Sequence, residues 1–135
     1  MIVDTNVFVY ALLGVTEHRE EAYQVLLRCE KIVVPDLVRS ELVNVCSKWV
    51  RQMNVDEQIA FHCLHDADGL FDSVVPADYL WNDALKLSLA FNHGAMDCLF
   101  IALARQQSCK VVTYDGKLRA KFPEDTISPE EFLKK

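Results

Sequence analysis

The first six residues of the chain constrain its fold more than any other segment. Residues 1–3 (MIV) form an apolar run of the kind that makes a buried β-strand, and the run ends directly in Asp4, Thr5 and Asn6. A buried strand that ends in a carboxylate places a charged group at the edge of the hydrophobic core. Three more acids, Glu41, Asp97 and Asp115, stand at comparable junctions further along the chain, and we expect folding to bring the four together.

Other short apolar runs have the same strand character and alternate with segments of helical periodicity. We expect strands at residues 31–34, 70–75 and 109–113, and an edge strand at residues 125–128. This alternation predicts an α/β fold, a doubly wound parallel sheet of four to five strands with helices on both faces. In such sheets ligands bind outside the carboxyl ends of the strands, where Asp4 and Asp115 lie.

Capping residues and helix breakers predict the helix boundaries. We expect the first helix to end at Gly14, a second helix to start at Thr16, and Pro35 to open the third helix as part of its first turn. Asp78 should cap a later helix, and Gly94 should end that helix in a left-handed conformation.

Length and composition limit the class of protein. At 135 residues, 51% hydrophobic and 25% charged, the chain suits one compact domain over residues 1–135. Its five cysteines are odd in number and far apart, which favours free thiols in a reducing compartment. The apolar start contains Asp4 and no basic residue, unlike a signal peptide. We therefore expect a cytoplasmic protein that does not bind a membrane.

The net charge of −6 hides a segregation of the two signs. Residues 52–85 contain seven acids and no Lys or Arg, whereas residues 105–121 contain five basic residues and one acid, Asp115. Either run is also consistent with a solvated helix face. The basic run nevertheless suits a nucleic-acid backbone, and we take Lys117 and Arg119 as the candidate contacts because they follow Asp115 directly.

Four acids stand at positions that call for an explanation: Asp4, Glu41, Asp97 and Asp115. An Asp after a strand or in a first helical turn is most often a helix cap, but Glu41 lies on the apolar stripe of a helix, where capping does not explain it. Carboxylates gathered 4 Å apart repel by about 4 kcal/mol per pair at an effective dielectric of about 20. A divalent cation removes that repulsion, and an all-oxygen site suits Mg²⁺ or Mn²⁺.

Four segments of the chain resemble the PIN domain family, especially its VapC-type toxins from toxin–antitoxin pairs. They are Asp4-Thr5-Asn6 with the apolar helix that follows, residues 35–42 (PDLVRSEL), residues 96–104 (MDCLFIALA) and residues 112–115 (VTYD). The four segments match in order and spacing over essentially the whole chain.

The resemblance implies a single PIN-like nuclease domain that cleaves RNA phosphodiester bonds with a metal-activated water. Its acidic positions match Asp4, Glu41, Asp97 and Asp115 as catalytic residues, the three aspartates also as ligands of Mg²⁺ or Mn²⁺. Asn6 and Thr113 match its supporting polar positions. Some members carry a further acid just after the last Asp, where this chain has Gly116 and Lys117, so one or two metal ions are both open.

The same resemblance implies a homodimer and a small antitoxin whose tail enters the acidic groove. Two alternatives stay open: a PIN-like module that binds RNA or protein without cutting, and a housekeeping RNA-processing nuclease. A haloacid-dehalogenase-type phosphatase would need Asp where Asn6 stands, and a receiver domain would need an adjacent acidic pair near the first strand. His62, Cys63 and His65 lack partners for a zinc site and are expected on the surface and in the core of a helix.

Overall fold

The structure is a computed structural model that describes residues 1–14 and 17–135. Within these residues the strands are β1 (Ile2–Val3), β2 (Val33–Pro35), β3 (Ser73–Val75), β4 (Val111–Val112) and β5 (Thr126–Ile127). They form one sheet in the order β3-β2-β1-β4-β5, and every neighbouring pair is parallel. The predicted parallel α/β sheet, including its fifth edge strand, is confirmed.

The helices between the strands cover both faces of this sheet. They are α1 (Thr5–Leu13), α2 (Arg19–Arg28), α3 (Leu37–Met53), α4 (Glu57–Leu70), α5 (Trp81–Phe91), α6 (Ala95–Gln106), α7 (Gly116–Lys121) and α8 (Pro129–Lys134). Helices α1 to α4 pack against one another, whereas α6 packs on α5 and crosses β2, β1 and β4. Residues 98–104 of α6 are all buried, as expected for a helix covered on every side.

The strand order reverses beside β1, which has β2 on one side and β4 on the other. Ile2 is in register with Val111, and Val3 with Val112, so β1 and β4 end at the same level. The backbone N–H of Asp4 then donates to the carbonyl of Val112 at 3.0 Å. Ligands of doubly wound sheets bind outside the carboxyl ends at such a reversal. The fold therefore fixes the place of a site before any side chain is considered.

Several helix boundaries differ from the sequence prediction. Pro35 is the last residue of β2, and α3 begins two residues later at Leu37. Asp78 lies in a short 3₁₀ turn, Ala77–Tyr79, and makes no capping bond to α5. The left-handed residue after α5 is Asn92, with φ 51°, whereas Gly94 has φ −55° and precedes α6. Asn and Gly both tolerate the left-handed region, so residue propensity does not distinguish between these two candidates, which are two positions apart.

Other local predictions have clearer outcomes. Helix α1 ends at Gly14 in the left-handed conformation, φ 68°, as predicted. Thr16 lies outside the described residues, and α2 is described from Arg19 onward. All five cysteines are free thiols.

No single helix in the described part of the chain is long and apolar enough to cross a bilayer, and α5 with α6 reach that length and composition only as a pair bent by 116°.

Candidate active site

All four acids singled out from the sequence line one open cavity of about 340 Å³. Each comes from a different place in the fold: Asp4 follows β1, Glu41 lies in α3, Asp97 lies in the first turn of α6, and Asp115 follows β4. Thr5, Asn6, Tyr10, Asn44 and Trp49 complete much of the wall. The cavity lies at the carboxyl ends of β1 and β4, where the strand order reverses.

Asp4 is the most buried of the four, with 9% of its surface exposed. Its Oδ1 accepts the backbone N–H of Thr5 at 2.7 Å, which caps helix α1. Its Oδ2 accepts the hydroxyl of Thr113 at 2.7 Å and the amide of Asn6 at 3.4 Å. Both carboxylate oxygens are therefore fixed by the ends of β1 and β4.

Asn6 and Thr113, the predicted supporting residues, join the two strand ends to each other. The Thr113 hydroxyl accepts the Asn6 amide at 3.4 Å and the backbone N–H of Asp115 at 2.9 Å. The Asn6 carbonyl oxygen accepts the backbone N–H of Tyr114 at 3.3 Å. This network orients Asp4 and Asp115 relative to each other through hydrogen bonds shorter than 3.5 Å.

Electrostatics at Asp4 favour its protonated form when no cation is present. Burial, together with the nearby charges of Glu41 and Asp97, raises the pKa of Asp4 to about 7, although the hydrogen bonds from Thr113 and Thr5 lower it. Removal from water and nearby negative charges both raise the pKa of a carboxyl group, because they disfavour its ionised form. The ionised form of this site therefore needs positive charge from elsewhere.

Glu41 is held by a residue that the sequence prediction did not single out. The hydroxyl of Thr5 donates to Glu41 Oε1 at 2.6 Å, linking helix α3 to the start of α1. Burial also raises the pKa of Glu41, and the charge of Asp97 adds to that shift. The signal for Thr5 was its place between Asp4 and Asn6, but its contact depends on how α3 packs, which local sequence does not encode.

Asp97 is not a helix cap in this structure. Gly94 precedes α6 and no side chain caps it, while Asp97 Oδ2 lies 2.9 Å from His93 Nε2. The His93 side chain is only 13% exposed, and its ring meets Phe122 edge-on with centroids 5.9 Å apart. The sequence prediction places a helix end at Gly94 and does not single out His93. Its position four residues before Asp97 was the available signal.

Asp115 has the capping role that is common for an Asp after a strand. Its Oδ1 accepts the backbone N–H groups of Lys117 at 2.9 Å and Leu118 at 3.1 Å, at the start of α7. A carboxylate has two oxygens with several acceptor positions, so capping through one oxygen leaves ligating capacity on the other. The cap and the ligand interpretations of Asp115 are thus compatible.

The residues around the cavity fit a hard divalent cation in their chemistry. All the donors are oxygens, and a buried Asp4 among like charges is stabilised by positive charge. Among the described residues, no three His, Cys, Asp or Glu side chains converge on one point as they stand. Mg²⁺ is commonly held by one or two carboxylates and retains several waters, so it does not require such a group.

The predicted basic run divides into two kinds of side chain. Arg105 pairs with Asp125 at 2.8 Å, and Lys121 donates to the carbonyl of Phe91 at 2.6 Å. Arg119 is half-buried and donates to the carbonyl of Thr113 at 2.8 Å, whereas Lys117 is exposed. The two candidate RNA contacts therefore sit in different surroundings.

The three residues of α4 that lack partners for a zinc site lie where the sequence predicts. His62 and His65 are exposed on α4, and Cys63 is buried.

Comparisons with known proteins agree with this architecture. The PIN domain family model matches residues 1–121. The chain is 26% identical to Ribonuclease VapC3 of Pyrobaculum aerophilum over 125 residues. This alignment covers 91% of the present chain and 95% of VapC3. The crystal structure of PAE2754 from Pyrobaculum aerophilum is similar with a TM-score of 0.74 and 23% identity, covering 98% and 90% of the two chains.

A toxin–antitoxin complex from Klebsiella pneumoniae has a chain similar to this one with a TM-score of 0.69 and 18% identity, covering 95% and 96% of the two chains. At these identities the two solved structures show a shared fold. The family match extends over nearly the whole described chain, and this protein therefore belongs to the PIN domain family.

Proposed function

We propose that this protein is a metal-dependent endoribonuclease, and that residues 1–135 form its single nuclease domain. The observation that carries the proposal is the gathering of four carboxylates, from four separate places in the sequence, around one cavity at the strand reversal. Gathered carboxylates repel one another, and a module that only binds RNA gains nothing from that repulsion. The similarity to a protein named as a ribonuclease supports the same assignment.

In this proposal Asp4, Asp97 and Asp115 hold Mg²⁺ or Mn²⁺, which when bound supplies an activated water and neutralises charge on the scissile phosphate. Thr113 and Asn6 fix Asp4, and the cap of α7 fixes Asp115. Glu41 accepts a proton from the attacking water. Its position is set by the Thr5 hydroxyl, and its pKa is raised by burial toward the range useful for a base.

We further propose that the protein is the toxin of a VapBC-type pair, with a small antitoxin as its partner. The support is the fold shared with a chain of a toxin–antitoxin complex. A homodimer is part of the proposal, because α5 exposes Trp81, Leu85 and Leu89, which are 61%, 55% and 75% accessible and lie four residues apart. A housekeeping RNA-processing nuclease would use the same cavity without an antitoxin.

A cleavage assay tests the enzymatic part of the proposal. Labelled single-stranded RNA is incubated with the parent protein in EDTA, Mg²⁺ or Mn²⁺, alongside Glu41→Gln and the matched surface change Glu30→Gln. We expect cleavage by the parent and Glu30→Gln only with metal, and a loss of roughly 100-fold or more in Glu41→Gln. RNA binding without cleavage under every condition would instead favour the non-catalytic module.

A further inference from the structure

We propose that a second pocket, next to the acidic cavity, binds an unpaired nucleobase of the RNA strand adjacent to the phosphate held at the carboxylates. This inference rests on the proposed ribonuclease function and adds a base-recognition subsite to it. The pocket has a volume of about 360 Å³ and is lined by Tyr10, His18, Glu21, Tyr114, Arg119 and Ser128, among others.

The pocket and the acidic cavity share a wall. Tyr10 lines both of them, so a strand that reaches the carboxylates passes beside the second pocket. Thr113 joins the two places chemically, because its hydroxyl donates to Asp4 and its carbonyl accepts from Arg119. Neighbouring units of one RNA strand can therefore occupy both pockets.

Three aromatic rings line the second pocket, and Tyr10 is the one that also lines the acidic cavity. The Tyr10 and Tyr114 rings are 5.0 Å apart in an edge arrangement, and the His18 ring lies 4.8 Å from Tyr114 and 5.5 Å from Tyr10. None of the three residues is fully buried. Proteins that recognise single-stranded RNA stack splayed bases on rings of this kind.

The charges in the pocket favour a base over a second phosphate. Glu21 and Glu130 line it together with the guanidinium of Arg119, so an additional phosphate would meet two carboxylates. Glu21 accepts the Tyr114 hydroxyl at 2.9 Å, so this carboxylate is already oriented into the pocket wall.

Hydrogen-bonding groups of both kinds are available for the edge of an uncharged base. Arg119 uses one N–H on the Thr113 carbonyl, and a guanidinium has further N–H donors. The carboxylates of Glu21 and Glu130 supply the hydrogen-bond acceptors. A base edge presents donors and acceptors together, which matches this mixture better than a phosphate does. Arg119 can therefore donate to the base edge, while its positive charge still attracts the RNA strand.

The test uses nucleotides as probes on the whole protein in EDTA, so that it does not depend on cleavage. Binding of the four nucleoside 5′-monophosphates is followed by NMR shifts of the His and Tyr rings, with ribose 5-phosphate as the probe that lacks a base. We expect at least one nucleotide to bind with shifts at His18 and Tyr114, and ribose 5-phosphate to bind roughly ten-fold more weakly or not at all.

Two variants and a control sharpen the result. His18→Ala removes a partly exposed ring and should weaken nucleotide binding roughly ten-fold, whereas Tyr114→Phe keeps its ring and should retain stacking. Tyr79→Ala removes an exposed tyrosine, 70% accessible, outside the pocket and should leave nucleotide binding unchanged.

Equal binding of ribose 5-phosphate and nucleotides, or unchanged binding in His18→Ala, would overturn the base pocket even if RNA is cleaved. Base-dependent binding by a protein that cleaves no RNA would support the pocket and overturn the nuclease assignment.

Discussion

At the scale of single residues, Asp4 has two roles that oppose each other in free energy. Its Oδ1 caps helix α1 through the N–H of Thr5, an interaction that typically stabilises a protein by about 1 kcal/mol. Its ionised form is nevertheless buried next to Glu41 and Asp97, which destabilises the metal-free protein. The balance between the two roles depends on pH.

The first prediction concerns that pH dependence in EDTA. Burial raises the pKa of Asp4 to about 7, so the folded state retains a proton that the unfolded chain loses near pH 4. The stability from this proton is fully present below about pH 4 and is lost as pH rises through about 7. Asp4→Asn retains capping without titrating. Its stability relative to the parent should therefore rise between these pH values, by about 4 kcal/mol at most. Urea midpoints across the range measure the difference, and a constant difference would contradict the assignment.

The second prediction concerns His93, which fixes one oxygen of Asp97 at 2.9 Å. Hydrogen-bonded neighbours of metal ligands commonly change metal affinity by about 10–100-fold when removed. His93→Ala should therefore raise the Kd for Mg²⁺ roughly ten-fold and reduce the Mg²⁺-induced rise in melting temperature. His93→Gln retains an N–H donor and should recover part of the rise. A purely structural His93 would lower the metal-free melting temperature and leave the Mg²⁺ effect equal in all three proteins.

At the scale of elements, the sequence predicts which segments form strands and helices but not where each one ends. Apolar β-branched runs identified the strands, and capping patterns identified Gly14. Pro35, Asp78 and Gly94 were misplaced because each residue type suits more than one position near an element end, and packing decides between them.

The candidate site also contains residues that the sequence predicts and contacts that it does not. Asp4 and Asp115 were predictable because topology puts the carboxyl ends of β1 and β4 together. The contacts of Thr5 with Glu41 and of His93 with Asp97 were not predictable, because they depend on the placement of α3 and on side-chain rotamers.

The third prediction uses two glycines at helix ends with opposite requirements. Gly14 has φ 68°, where an alanine side chain is strained, so Gly14→Ala should destabilise the protein by about 1–2 kcal/mol. Gly69 lies near the end of α4, and an added Cβ meets no described atom within 4 Å beyond its chain neighbours and the backbone of its own helix. Gly69→Ala should stabilise by about 0.5–1 kcal/mol because glycine is more flexible when unfolded. Urea denaturation of both variants measures this, and changes of the same sign would show that these helix ends are assigned incorrectly.

At the scale of the whole molecule, the net charge of −6 coexists with a basic run that leads into α7. The fourth prediction is that Lys117 and Arg119 contribute to RNA binding. Each lost phosphate contact should reduce the slope of log affinity against log salt by roughly 0.7 for single strands. The double change of Lys117 and Arg119 to Ala is compared with Lys31→Ala, an exposed lysine before β2, at the amino ends of the parallel strands and so opposite the cavity. An unchanged slope in the double variant would remove this surface from the RNA path.

The substitution Asp97→Asn tests whether Asp97 belongs to one cation site that carries out RNA cleavage. The asparagine can still accept a hydrogen bond from His93 but lacks the charge. Thermal melts with and without Mg²⁺ are combined with cleavage of single-stranded RNA, and Asp66→Asn, an exposed acid on α4, is the matched control.

We expect Asp97→Asn to lose cleavage, to melt at the same or a higher temperature without metal because repulsion is relieved, and to gain less stability from Mg²⁺. Asp66→Asn should behave like the parent. Retained cleavage together with an unchanged Mg²⁺-induced shift in Asp97→Asn would show that Asp97 is not part of the cation site.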